Sequence, residues 1–517
     1  MNGAESLVRT LVSGDVNVCF ANPGTSEMHF VAALDRVEGM RCVLGLFEGV
    51  VTGAADAYYR MAGKPASTLL HLGPGLGNGL ANLHNARKAR SGIVNVIGEH
   101  AGYHIKHDAP LTSDIEGVAH PMSDWVRTAL SSKTVAADGA LAIQAAREAP
   151  GRVATLILPA DTAWGDADGP ATVQPPVSPQ PVASDAVGAG ARALTCGEPA
   201  LLLLGGAAVR GRALELAGRI AAKTGCRLMS ESSNARMECG AGRVDAARLP
   251  FVVDAALAAL KGIRHLILVG AKTPVSFFAY PGKPSVLIPD DCAVTRVAGV
   301  ESDLEGALEA LADALDALHT PPAGVASLAR PALPGGKVTL DGIAVVLAAL
   351  IPEHAVVVDE AITTGRGFGA AMRGASPHDW LSIMGGAIGW GLPAAVGAAV
   401  AAPQRKVIAL EGDGSAMYTL QALWTMAREN LDVTVIVFAN RSYKILHGEL
   451  ANMGAGAPGR RAAELLTLDR PDLDWVALAK GHGVEAGRAA SLEEFAQQFR
   501  RGLARRGPYL VELVIQE

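Results

Sequence analysis

Residues 411–440 read EGDGSAMYTLQALWTMARENLDVTVIVFAN, an acidic Gly-Asp-Gly turn followed, 27 residues after its Asp, by an Asn. Asp413 and Asn440 offer hard oxygen atoms. Such donors suit Mg²⁺, which takes one or two carboxylates and fills its octahedron with phosphate oxygens and water. Gly412 and Gly414 allow the backbone to approach a phosphate, and Ser415 adds a hydroxyl where a helix would begin. A second candidate is Glu48 in RCVLGLFEGVVTGAADAYYRMAGK (41–64), with Phe47, Val50 and Val51 around it. Apolar neighbours desolvate a carboxyl group and fit it to exchange a proton with a ring nitrogen; the plainer reading is a carboxylate at a helix start. His71, ending the run STLLHL, is either a proton carrier or a satisfied core residue.

These side chains need elements to bring them together. KVIAL (406–410) and VTVIVFA (433–439) read as buried strands, and Met417, Leu420, Leu423, Trp424 and Ala427 recur between them at helical spacing. A strand, helix and parallel strand with a right-handed crossover put Asp413 and Asn440 just beyond the carboxyl ends of their strands. Ligands bind at that edge of an open parallel sheet.

A rival reading comes from STLLHLGPGLGNGLANLHNARKARSGIVNVIGE (67–99). Gly73, Gly75, Gly77 and Gly79 follow a strand and Glu99 follows the next, which imitates a dinucleotide fingerprint with its ribose-binding acid. The pattern is G-x-G-x-G-x-G, however, and Pro74 stands where free amides should face a pyrophosphate. A nicotinamide-dependent oxidoreductase is therefore the alternative from another class.

Two proline-rich stretches, 168–184 and 320–336, lack apolar periodicity and read as linkers. They leave blocks at 1–167, 185–319 and 337–517. Each block alternates apolar strands with helical patterns: VNVCFA, CVLGLF, STLLHL, IVNVIG and VATLILP; then ALLLLGG, RLMSE, HLILVG and SVLIP; then AVVVDE, KVIAL, VTVIVFA and YLVELVI. The expected fold is α/β, with three doubly wound parallel sheets.

Composition narrows the function classes. A net charge of −6 without a basic stripe argues against nucleic acid as a partner. The six cysteines lack CxxC or Cys/His spacing, which disfavours disulfide frameworks and zinc sites and fits a reducing interior. Glu5, Arg9 and Asp15 interrupt any secretory apolar core. Residues 381–403 carry no charge, but their Gly, Ala and Pro content reads as a buried loop and helix, not a membrane span. A cytoplasmic protein is expected.

FANPGTSE (20–27), FEGVVTGAADAYYRMAGKPA (47–66), GPGLGNGLANLHNA (73–86), GGAIGWGLPAAVGAAVA (385–401) and the GDGS…N unit together resemble, in order and spacing, the thiamin-diphosphate-dependent 2-oxo acid decarboxylases and acetohydroxyacid synthases. The resemblance spans nearly the whole chain and is weakest in the middle block. It implies pyrimidine-binding, central and diphosphate-binding domains in that order. It also implies a homo-oligomer, a dimer with shared active sites or a tetramer, because the cofactor is held between the first domain of one chain and the last domain of another.

Residue by residue, the resemblance implies Asp413, Asn440 and the Ser442 carbonyl as Mg²⁺ ligands. Gly412, Gly414, Ser415, Thr363, Gly386 and Tyr443 match cofactor contacts, and Ile388 matches the apolar residue that bends the cofactor. Glu48 matches the acid that meets the aminopyrimidine ring. The family's chemistry then runs through an ylid and an enamine, with loss of CO₂ from a 2-oxo acid. Protonation afterwards gives an aldehyde, whereas attack on a second carbonyl gives a hydroxyketone, as in acetolactate formation.

His71 and Thr25 match substrate-facing positions of benzoylformate decarboxylase, the family member most alike through the last block. The stretch AKTPVSFFAYPGKP (271–284), where that enzyme supplies a second histidine, has none; APLTSD (109–114) stands where pyruvate decarboxylases carry a His-His pair. Ile445, His447 and Glu449 are expected near the substrate mouth, with His447 either replacing the missing acid or merely solvated. FAD in the central domain is neither indicated nor excluded by any motif, and a cofactor-binding scaffold without turnover is a further alternative.

Overall fold

The computed structural model describes residues 1–515. Its central strands, such as Ile93–Glu99, Ala200–Leu204 and Val433–Ala439, are apolar runs buried on both faces, as parallel sheets covered by helices require. The first sheet contains β1 (Val18–Asn22), β2 (Arg41–Leu44), β3 (Ala66–Leu70), β4 (Ile93–Glu99), β5 (Trp125–Thr128) and β6 (Val153–Pro159), in the order β2-β1-β3-β4-β6-β5. All of its pairs are parallel.

The middle block contributes β7 (Ala200–Leu204), β8 (Arg227–Ser230), β9 (Met237–Cys239), β10 (Ala247–Arg248), β11 (His265–Val269) and β12 (Ala293–Ala298). Its own sheet runs β10-β8-β7-β11-β12, without β9. The last block adds β13 (Ala355–Glu360), β14 (His378–Ser382), β15 (Val407–Gly412), β16 (Val433–Ala439), β17 (Glu485–Ala489) and β18 (Tyr509–Val514), ordered β17-β18-β16-β15-β13-β14-β9. Three parallel α/β sheets are thus present, and β9 crosses from the middle block to pair antiparallel with β14. Its approach is pinned by Arg236, whose Nε donates to Asp379 Oδ1 at 2.7 Å.

Three local expectations need correction. SVLIP (285–289) is irregular, and Val286 makes only an isolated bridge to Val275. Pro284 and Pro289 bracket it and remove donors that a ladder would use; the edge strand is β12 instead. The helix expected after the Gly-Asp-Gly turn is two short ones, Asp413–Ala416 and Ala422–Arg428. Between them the chain bends so that Thr419 Oγ1 donates to the Gly389 carbonyl at 3.0 Å.

The glycine run, read as a turn, opens the helix Leu72–Ala89. Pro74 lies in its first turn, where no N–H is needed. A Cβ at Gly75 would stand 3.0 Å from Glu48 Oε1, and one at Gly79 would stand 3.0 Å from Thr52 Cγ2. Gly75 and Gly79 therefore let the run pack against the helix Glu48–Ala62, a use of glycine other than phosphate approach. Among the described residues, no helix is long and apolar enough to cross a membrane.

First and last blocks meet through Glu48–Ala62 and the helix Gly391–Ala401, the second nearly all small residues and the first small along Thr52–Ala55. The separation is close: a Cβ on Gly53 would stand 2.7 Å from Pro393. Burial of Leu392, Val396 and Val400 against Val50, Val51, Ala54 and Tyr58 merges the two cores.

Candidate active site

The carboxyl edge of the first sheet gathers one group of candidates. The β1–β3 register pairs Asn22 with Leu70, so the Pro23–Glu27 turn lies beside His71. Gly24 packs directly on the imidazole, with no room for a side chain. His71 Nδ1 lies 2.8 Å from Glu27 Oε2, which also accepts from the Gly24 N–H at 2.7 Å. Glu27 is 1% exposed, and burial pushes its pKa up against the opposing pull of Gly24 and His71. Thr25 is exposed at the same turn.

Glu27 is absent from the residues singled out above. Its signal in the sequence is an acid set in the apolar-flanked turn NPGTSE, two residues beyond Thr25.

Glu48 is the first residue of its helix and is buried. Its Oε2 accepts from Asn78 Nδ2 at 2.9 Å. Glu48, His71 and Asn78 thus converge on the start of Leu72–Ala89, which His71 caps. Glu99, the supposed ribose acid, accepts instead from the adjacent His100 N–H at 2.7 Å.

The carboxyl edge of the last sheet gathers the second group. Gly412 pairs with Phe438 across β15 and β16, which brings Asp413 close to Asn440. Asp413 Oδ1 accepts from the Gly414 N–H at 2.9 Å, and Oδ2 from the Arg441 N–H at 2.6 Å. Burial pushes this carboxyl group up to about 6, with those amides pulling it back down. Asn440 Oδ1 accepts from the Ser442 N–H at 3.0 Å, Ser415 Oγ donates to the Gly412 carbonyl at 3.1 Å, and the Tyr443 ring rests on Gly414.

Three non-glycine residues with left-handed backbone flank these candidates: Leu72 (φ 48) after His71, Ile362 (φ 49) before Thr363, and Arg441 (φ 56) after Asn440. Such conformations are costly for side chains of this bulk and gather at functional sites.

The loop 383–390, with Gly386 and Ile388, is held by the first block. His84 Nε2 lies 3.0 Å from the Gly385 carbonyl, and Asn85 Nδ2 donates to the Ala387 carbonyl at 2.8 Å. Asn82 Nδ2 donates to the Gly389 carbonyl at 3.2 Å. Trp390 Nε1 donates to Asp56 Oδ2 at 2.7 Å beneath the Arg60 guanidinium, 4.5 Å above its ring.

Gly386 has φ +74, and a Cβ there would stand 2.8 Å from Phe277 Cζ. Phe277, from the stretch 271–284 that carries no histidine, therefore rests on Gly386. In the helix Lys444–Asn452, Glu449 meets the Tyr280 hydroxyl and His447 is half-buried.

One carboxylate and one amide oxygen at adjacent strand ends, beside amides of a Gly-Asp-Gly turn, fit Mg²⁺ and a diphosphate. Glu48 and Gly75 across the other edge fit a protonatable heterocycle.

The comparisons agree with this chemistry. Residues 1–119 match the family model "Thiamine pyrophosphate enzyme, N-terminal TPP binding domain", and residues 364–513 match its C-terminal TPP binding domain. The chain belongs to the thiamine pyrophosphate enzymes and is an enzyme of the decarboxylase or acetolactate synthase-like kind. It is 53% identical over 517 residues, 100% of this chain and 99% of the other, to "Putative acetolactate synthase large subunit IlvX" of Mycobacterium tuberculosis. It is 31% identical to "Benzoylformate decarboxylase" of Pseudomonas aeruginosa, covering 96% of both chains. The Rhodococcus jostii RHA1 thiamine diphosphate-dependent 4-hydroxybenzoylformate decarboxylase superposes with a TM-score of 0.86 at 25% identity, covering 100% of this chain and 99% of that one.

Proposed function

We infer that the protein decarboxylates a 2-oxo acid with thiamin diphosphate and Mg²⁺. The observation that carries this reading is the pairing, in one chain, of a Glu48–His71–Glu27 edge with an Asp413–Asn440 edge. Asp413, Asn440 and the Ser442 carbonyl hold the metal; Gly412, Gly414, Ser415, Thr363 and Tyr443 surround the diphosphate. When bound, thiamin diphosphate supplies a nucleophilic carbon for the 2-oxo carbonyl and an electron sink for loss of CO₂.

The chain's own groups do the rest. Glu48 would exchange a proton with an aminopyrimidine nitrogen, and Ile388, on the loop that Asn82, His84 and Asn85 hold, would pack against the bound cofactor. Glu27 turns Nδ1 of His71 inward, leaving Nε2 to give or take a proton at the reacting carbon. Thr25 contacts the substrate's carboxylate or carbonyl, and His447 lies at the mouth. As the family resemblance implies, the cofactor lies between the first block of one chain and the last block of another, so the active form is a homodimer or tetramer. All six cysteines are free, which supports a cytoplasmic setting.

A second reading, acetolactate synthase-like carboligation, is favoured by Phe277. A phenyl ring over Gly386 supplies no proton, and the stretch 271–284 offers no histidine to do so, which would favour reaction with a second carbonyl over protonation to an aldehyde. Mass-resolved product analysis with a panel of 2-oxo acids, thiamin diphosphate and Mg²⁺ separates the two. Aldehyde with CO₂ establishes the decarboxylase; hydroxyketone or acetolactate establishes the carboligase.

A further inference from the structure

Trp390 sits between two glycines whose amides aim at one carboxylate. Glu360, the last residue of β13 and 1% exposed, accepts from the Gly389 N–H at Oε1 (2.8 Å) and from the Gly391 N–H at Oε2 (2.6 Å). A Glu side chain places one oxygen on each amide, so it meets both N–H groups at once, whereas Gln would offer one oxygen and an NH₂. The clamp is enclosed. Glu411 lies opposite Glu360 in the β13–β15 ladder, and a Cβ on Gly391 would collide with its carboxylate, so only glycine fits between the two acids.

Gly389 has φ +90, and its carbonyl accepts from Asn82 Nδ2 and Thr419 Oγ1 while its amide goes to Glu360. The 388–389 peptide, through its N–H, and the 389–390 peptide, through its carbonyl, are therefore both fixed by side chains from three segments. Ile388 and Gly386 hang from them.

We propose that Glu360 is a positioning residue that sets the 385–391 loop for the organic half of the cofactor, independently of the metal and diphosphate half held by Asp413 and Asn440. This rests on the reading that the site takes thiamin diphosphate. Glu360→Gln keeps the shape but turns an NH₂ toward one of the two amides.

The test compares wild type and Glu360→Gln by calorimetric titration with thiamin diphosphate and, separately, with pyrophosphate, both with Mg²⁺, together with amide hydrogen exchange over 385–391. The expected result is thiamin diphosphate bound about tenfold more weakly, pyrophosphate bound as in wild type, and faster exchange at Gly389 and Gly391. Unchanged thiamin diphosphate affinity with unchanged exchange overturns the proposal. So does an equal loss for both ligands, because that is the mark of a general structural role.

Wild-type exchange is an independent arm and serves if the variant does not fold. Gly389 and Gly391 should exchange together and more slowly than Gly385 and Gly386; free exchange at either clamped amide overturns the clamp. Wild type that binds no thiamin diphosphate refutes the functional reading, while the exchange data still decide whether Glu360 fixes the loop.

Discussion

His71 Nδ1 and Glu27 Oε2 stand 2.8 Å apart, joining two strand-end turns that are 44 residues apart in sequence. The carboxylate is buried and the imidazole is 24% exposed, so orientation comes from inside and reactivity faces out. Glu27→Gln should lower kcat/KM on the order of 10–100-fold, as loss of a residue that orients a histidine does elsewhere. Thiamin diphosphate affinity should stay unchanged and the pH profile of kcat should move. A flat profile shift with a normal rate would remove Glu27 from the site.

Glu48→Gln should bind cofactor but slow deuterium exchange at the cofactor's C2 position by about 10²–10⁴-fold. Nuclear magnetic resonance of quenched samples measures this directly. Exchange at the wild-type rate would reassign Glu48 to helix-start stabilisation.

Asp413→Ala removes the only carboxylate in the proposed metal donor set. Titration calorimetry should show loss of Mg²⁺-dependent pyrophosphate binding, with circular dichroism unchanged. Retained binding would place the metal elsewhere.

Asp379 supplies a pH test of the fold. Burial raises its pKa, but Arg236 (2.7 Å) and Arg405 (2.5 Å) outweigh burial and hold it below the ordinary 3.8. A depressed carboxylate stabilises the folded state above its unfolded value, and that stability is lost as pH falls through the lower folded value. Asp379→Asn should cost about 3 kcal/mol at pH 7. The difference in thermal midpoint between wild type and variant should shrink below about pH 4. A constant difference down to pH 2 would contradict the assignment.

Sequence patterns carried the strand-rich α/β design because β3, β4, β7, β11, β13, β15, β16 and β18 are apolar runs that only a doubly covered sheet accommodates. They carried Asp413 and Asn440 because one short crossover unit contains both. They did not carry β14, whose HDWLS is polar in sequence yet buried through pairing of Asp379 with two arginines from other segments. Likewise Glu27 and Glu360 look like ordinary turn or strand-end acids until distant partners, His71 in one case and Gly389 with Gly391 in the other, arrive in space. The glycine run admitted two readings because small residues serve tight helix packing as readily as phosphate approach.

β9 gives the middle block a stake in the last sheet. Met237–Cys239 closes the open edge of β14, and Arg236 also donates to the carbonyls of Arg60 and Met61 in the first block at 3.3 and 3.4 Å. The three blocks are accordingly not exchangeable cassettes. A chimera that imports a relative's central block must bring a matching β9 and its arginine, or it leaves an unprotected sheet edge ready to recruit a neighbouring chain.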